Sequence, residues 1–336
     1  MGITLSEVND RYEFDVLGIG SALLDFTVEV DDSFLNDLGF LKGSMHLIDE
    51  KRSREILSVL DRFPLWITPG GSAANTLAGI SRLGGRGILL GKVGGDAHGD
   101  LYIKETEKSG VTTRIGRDAS ITGHAITFIT PDSERTFATH LGAAQHFAVN
   151  DVYEEGIARS KIIHLEGYLF EPPQLREACF HALKIARKQN VLVSVDLSDP
   201  NLIKRIHAIF KQVLGEYADI VFVNEDEARS FTGKNEENAL RELGSLCGFA
   251  AVKLGSRGSI IQKGDEIFRI PAYRTEVINT NGAGDMYAAG VLFGIARGMS
   301  TEECGILGSY ASSLVVSQLG ARYTGFIDHT RIPMPQ

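Results

Sequence analysis

Cysteine is scarce in this chain: Cys179, Cys247 and Cys304 are the whole complement, and they stand far apart. Their spacing matches neither a metal-ligand pattern nor an even disulfide framework, so small buried apolar packing in a reducing compartment is the expectation. An excess of positive charge is also missing. A formal net charge of -9 and a pI near 5.5 exclude broad electrostatic capture of nucleic acid or an anionic membrane, but not an anion held in a local cradle. No stretch approaches membrane-spanning length without charge, and the opening MGITLSEVNDRYEFD has acidic residues and no apolar signal core. A soluble cytoplasmic protein is therefore expected. Fixed-period repeats and low-complexity tracts are absent, which excludes a solenoid. His124, His140 and His146 lack the spacing of a metal cluster and are expected as polar or partly packed side chains. What the 336 residues, 43% of them hydrophobic, do provide is a large core, in one domain with a small appendage or in two domains.

The apolar run Phe14–Ile19 predicts a first buried strand, and residues 26–30 alternate as an exposed-face strand would. Residues 73–83 have helical spacing between Gly70-Gly71-Ser72 and Gly84-Gly85, and residues 88–93 read as a strand. Residues 123–130 and 135–139 flank the turn Pro131-Asp132-Ser133-Glu134 and resemble a hairpin. Further on, strands at 161–165, 191–196, 220–223 and 249–254 alternate with helices, which predicts a mostly parallel α/β sheet with Asp25, Asp196, Asn224 and Gly255 at its ligand-binding edge.

The segment Asn279-Thr280-Asn281-Gly282-Ala283-Gly284-Asp285 precedes a small, apolar helical run. A glycine turn at a helix start aims backbone N–H groups into one space and adds partial positive charge, which suits a phosphate. Asp285 would be repelled by that phosphate unless its task were to take a proton from an attacking hydroxyl. The turn equally serves as a plain strand-to-helix connection with Asp285 capping the helix. Val252-Lys253-Leu254-Gly255-Ser256-Arg257-Gly258 offers a second glycine-bounded loop after a strand. Neither loop has the P-loop form, and the early glycines make no dinucleotide fingerprint, so a dehydrogenase is disfavoured.

Taken together, NTNGAGDMYAAGVLFGIARG and PGGSAANTLAGISRLGG resemble the two signatures of the ribokinase (PfkB) family of carbohydrate and nucleoside kinases, and the likeness runs from Gly18 to about Ala321. The resemblance implies a ribokinase-like three-layer α/β fold. One kinase domain would span residues 1–336, with a small β-lid contributed by approximately 24–50 and 121–140. It also implies ATP as phosphoryl donor and Mg2+. On the same grounds Asp285 is the expected base, with Gly282, Ala283 and Gly284 as the anion hole. Arg135 is expected to reach the phosphates from the lid. Asp25, Gly70, Gly71 and Asn75 are expected at the acceptor. Asn224 and Glu227 match the pair that organises magnesium-bound water, and a helix N-cap describes them as well; Asp226 falls at a variable position between them. Lys253, Gly255 and Gly258 are expected at the nucleotide, and Ala311, Ser312, Gln318 and Gly320 along its adenine wall.

The acceptor is a small molecule. Gly20-Ser21-Ala22-Leu23-Leu24-Asp25 and KGSMHLIDE look similar to adenosine kinases, so adenosine leads. A ribose, fructose or related carbohydrate kinase is the alternative, and a non-enzymatic purine-sensing module a third. Monomer and homodimer both stay open. Asn279 departs from the aspartate usual at that motif position, where potassium-activated relatives hold their ion. A neutral amide holds a monovalent cation less strongly than a carboxylate, which puts a potassium site in doubt. Initial rates with potassium exchanged for a bulky organic cation at fixed ionic strength should therefore change little. A large, saturable potassium activation would contradict this reading of Asn279.

Overall fold

The computed structural model describes residues 12–132 and 134–333, so residues 1–11 of the N-terminal stretch searched for a signal, and Ser133 of the expected turn, lie outside the description. Strand β1 (Phe14–Ile19) is buried along its whole length and sits inside a nine-stranded sheet. The order across that sheet is β14 (Glu266–Ile270), β13 (Ser259–Lys263), β12 (Phe249–Lys253), β11 (Ile220–Asn224), β10 (Leu192–Asp196), β9 (Ser160–Glu166), β1, β5 (Gly87–Gly94) and β6 (Thr112–Asp118). From β12 to β6 every neighbouring pair is parallel, and β13 and β14 append an antiparallel hairpin at one edge. Apart from the edge strand β6, which is polar and partly exposed, the parallel strands are largely apolar and buried because helices cover both of their faces. Among the described residues no helix is long and apolar enough to cross a membrane.

Two helices explain the position of the signatures. Helix Ala283–Ala296 is buried without interruption from Met286 to Gly294, so it runs through the core rather than along the surface. Helix Ser72–Arg82 is buried from Ala73 to Ile80 and packs against it. Their N-termini meet. Gly71, with φ +90°, caps the second helix, and a Cβ there would overlap the Ser21 carbonyl, so the approach of chain to chain requires glycine.

A second sheet of five strands runs β3 (Met45–Leu47), β8 (Arg135–His140), β7 (Gly123–Ile129), β2 (Leu23–Glu29), β4 (Trp66–Pro69). The expected hairpin is β7 and β8, paired antiparallel. β4 lies outside the two segments expected to form this sheet; its exposed Trp-Ile-Thr-Pro run is too short for periodicity to reveal. Register sets the faces of the small sheet. Leu47, Thr139, Ala125, Asp25 and Thr68 form one row of cross-strand partners, and Met45, Phe137, Thr127, Thr27 and Trp66 form the next. The opposite face buries Leu24, Phe26, Val28, Ile126 and Phe128.

Candidate active site

Because β1 and β9 to β12 are parallel, their C-terminal ends deliver Ser21, Glu166, Asp196, Asn224 and Lys253 to one edge. The start of helix Ala283–Ala296 enters the same space. Gly282 is its N-cap at φ +75°, and no side chain caps it. Asp285 does not act as a cap, which removes the plainer reading of the turn. Its Oδ1 accepts a hydrogen bond from Ser72 Oγ at 2.6 Å and its Oδ2 one from Asn75 Nδ2 at 2.9 Å. Burial raises its pKa, the two hydrogen bonds oppose that rise, Asp196 adds to it and Lys253 counters it. The result is a fixed carboxylate with above-average proton affinity, as a general base requires.

Lys253 is held beside the helix start. Its Nζ donates to Asp196 Oδ2 at 2.7 Å, and a Cβ on Gly284 would stand 3.1 Å from that nitrogen. Burial disfavours its charge, but Asp196 and Glu227 more than compensate and raise its pKa. Asn224 and Glu227 close on each other: Asn224 Oδ1 accepts from the Glu227 N–H at 2.9 Å, and Asn224 N and Nδ2 donate to the Glu227 carboxylate at 2.7 Å each. The capping reading of this pair is thus realised. Burial first, then Asp196, pushes Glu227 up to about 7, and Lys253 acts against them. Among the described residues no three His, Cys, Asp or Glu side chains form a metal cage. The donor set fits a divalent ion held chiefly by phosphate and water, with Glu227 and Asn224 on the water side.

A cavity of about 830 Å³ opens over this edge, lined by Asn224, Lys253, Gly255, Gly258, Ala283, Gly284 and Ser312 among others. Ser312 also donates to the Ala283 carbonyl at 3.0 Å. The other residues expected along the adenine wall are placed as follows. Ala311 is fully buried in helix Thr301–Val316 and does not line the cavity, because its position on the helix turns it into the core. Gln318 donates to the Arg322 carbonyl at 2.7 Å, and Gly320 takes φ +90°; both shape the turn after the helix instead of the cavity wall.

On the acceptor side, Asp25 lies so close to Gly70 that a Cβ there would overlap its carboxylate. Burial raises Asp25 to about 6, against the pull of Arg322 and with the repulsion of Asp285. Asn75 does not stand free for an acceptor hydroxyl, since its amide is shared between Asp285 and Arg322, whose Nε donates to Asn75 Oδ1 at 2.9 Å. Arg135 reaches across from β8. Its Nη1 donates to Asn279 Oδ1 at 3.2 Å and to Asn281 Oδ1 at 3.0 Å.

Three participants were not among the expected site residues. Glu166 is 1% exposed and accepts from Ser21 N at 2.8 Å and Ala73 N at 3.0 Å, clamping the two loops that flank Asp25. Ser72 was legible only as part of a glycine-rich turn. Arg322 follows the last helix in a loop whose sequence has no periodicity.

The family profile described as pfkB family carbohydrate kinase matches residues 55–326. The chain belongs to this family. A probable sugar kinase from Rhizobium etli CFN 42 is 35% identical over 95% of this chain and 97% of its own, with a TM-score of 0.85. The adenosine kinase from Sinorhizobium meliloti is 37% identical over 92% of this chain and 96% of its own, with a TM-score of 0.84. The 5-dehydro-2-deoxygluconokinase of Bacillus licheniformis is 28% identical and is covered to 92%, as is this chain. The protein is accordingly an ATP-dependent sugar or nucleoside kinase of the ribokinase-like fold.

Asp285→Asn keeps the side-chain volume and removes the proton-accepting charge. Turnover should fall by about 100-fold or more, with ATP affinity little changed. Kinetics and nucleotide titration on one folded preparation separate the two effects, and near-normal turnover would remove Asp285 from the base role.

Proposed function

We propose that this kinase transfers the γ-phosphoryl group of ATP to the hydroxymethyl oxygen of a nucleoside, with adenosine as the leading acceptor. The observation that carries the acceptor class is the face that the small sheet turns toward Asp285. Asp25 shares that face with Trp66 on the neighbouring strand β4 and with Phe137, Met45 and Leu47 farther across the sheet, of which Met45, Leu47 and Trp66 are 57%, 64% and 56% exposed. A carboxylate can accept hydrogen bonds from two sugar hydroxyls, and the apolar rows beside it suit a flat base. A free sugar would leave those rows without a partner. On this reading the small sheet is a lid that closes over the acceptor.

In the transfer, Asp285 takes the proton of the acceptor hydroxyl as that oxygen bonds to the γ-phosphorus, and the bond to the β,γ-bridging oxygen breaks to release ADP. On this reading the N–H groups at Gly282 and Gly284, the Lys253 ammonium and the Arg135 guanidinium face the charge that develops on the phosphoryl oxygens, whereas the Ala283 N–H, expected to join them, donates to the Thr280 carbonyl at 3.2 Å. Mg2+ would supply further positive charge between the phosphates, with Glu227 and Asn224 orienting its waters.

The alternative is a carbohydrate acceptor, favoured by the name of the Bacillus licheniformis relative. An acceptor panel of adenosine, inosine, ribose, fructose and 5-dehydro-2-deoxygluconate, with ATP and product detected by mass, decides between them. Adenosine should give the highest kcat/KM. It should also change the emission of Trp66, the single tryptophan, since that residue lies in the acceptor-facing rows. A sugar phosphate as the sole product would overturn the nucleoside reading. Binding of both ligands without product in the presence of magnesium would favour the sensing module.

A further inference from the structure

We infer that Arg322 is a positioning residue, which fixes the Asn75 amide against Asp285 and joins the acceptor side of the site to the catalytic side through one buried guanidinium. The inference rests on reading Asp285 as base and Asp25 as acceptor ligand. Its starting point is the hydrogen-bond chain Arg322 Nε to Asn75 Oδ1, 2.9 Å, and Asn75 Nδ2 to Asp285 Oδ2, 2.9 Å. An amide presents a donor at one end and an acceptor at the other. A flip of Asn75 would set its oxygen against a carboxylate and its NH2 against a guanidinium, so the cation selects the orientation that holds the base.

The other arms of the fork reach elsewhere. Nη2 donates to the Gly70 carbonyl at 3.1 Å, and Nη1 donates to Thr106 Oγ1 at 3.3 Å on helix Ala97–Lys108. Gly70 is the residue pressed against the Asp25 carboxylate. Three partners on three segments therefore share one planar group, which a flexible ammonium cannot reproduce. The chain that delivers Arg322 is itself tied to the anion loop. The Ala321 carbonyl occupies the space that a Gly282 side chain would need, and Gln318 Nε2 holds the Arg322 carbonyl at 2.7 Å.

Charge gives the arrangement a second effect. Arg322 faces Asp25 from β2, Asp285 from helix Ala283–Ala296 and Tyr102 from helix Ala97–Lys108. Asp285 also faces Asp196 and Lys253, and its charge is felt at Glu166. A guanidinium beside two carboxylates favours their ionised forms. Without it both carboxylates hold their protons to higher pH, and the base is lost over a wider acidic range.

The test compares Arg322→Met and Arg322→Lys across pH, with kcat, KM for the phosphorylated acceptor and KM for ATP determined separately. Arg322→Met should lower kcat/KM for the acceptor by about 100-fold and leave the ATP KM within about twofold. Its acidic limb should move to higher pH. Arg322→Lys keeps the charge and should restore the limb while still losing about tenfold in kcat, because the fork is gone. Placed in an Asn75→Ala background, the same lysine substitution should cost less than about twofold, since the group it positions is absent. That cycle decides the matter even where the methionine variant does not fold. A folded methionine variant with an unmoved limb, or a lysine cost equal in both backgrounds, would overturn the inference. Asp285→Asn measured alongside separates the levels. If it stays active the reading of the base fails, whereas if it is inactive and the Arg322 variants match the parent, only the positioning role fails.

Discussion

Repulsion among carboxylates is the constraint around which the site is built. Asp25, Glu166, Asp196, Glu227 and Asp285 converge on one edge of the large sheet, and the cations buried beside them are Lys253 and Arg322. Burial alone would protonate several of these acids. Specific partners take up the oxygens of four of them: backbone N–H groups for Glu166, Lys253 for Asp196, Asn224 for Glu227, and Ser72 with Asn75 for Asp285. A polyanionic phosphoryl donor enters such a place only with compensating positive charge. That explains why the helix start, Lys253 and Arg135 all approach from the side where the phosphates are proposed to lie, while Arg322 sits on the far side, under the acceptor.

The backbone contributes as much as the side chains. Three segments distant in sequence meet at contacts that exclude a Cβ: Gly70 against Asp25, Gly71 against Ser21, and Gly282 against Ala321. These glycines let two chain segments approach without a side chain between them, and they let the loop at Gly70, the loop at Gly282 and the C-terminal segment close into one wall. The helix behind that wall is apolar all round, so the anion loop rests on a rigid core element, which is where a preorganised site gains its precision.

Legibility in the sequence followed chemistry and length. Most of the parallel strands were readable because short apolar runs alternate with helical spacing, whereas the polar edge strand β6 was not. The hairpin β7–β8 announced itself through its Pro-Asp turn. β3 and β4 did not, since three or four half-exposed residues gain their strand conformation from neighbours in the sheet. At the site, residues inside the signatures were legible because glycine and carboxylate in that order have few other uses. Glu166 and Arg322 were not. Each is a single charged residue at the end of an unremarkable element, and its meaning depends on contacts more than 90 residues away in the chain.

Asn279 is the point where departure from the signature and architecture meet. Its Oδ1 already accepts from Arg135 Nη1 and from the Asn281 N–H at 2.9 Å, and the residue is 8% exposed. The oxygen is therefore committed to joining the small sheet to the anion loop. A carboxylate there would bind the guanidinium more tightly, as a charge-assisted pair instead of a neutral one. That would hold the sheet against the loop and draw Arg135 away from phosphate. A neutral amide leaves the arginine in place but loosely bound, able to exchange one oxygen partner for a more strongly charged one when phosphate arrives. The amide at position 279 and the arginine at position 135 are thus coupled through one neutral hydrogen bond between the small sheet and the loop at residues 279–285.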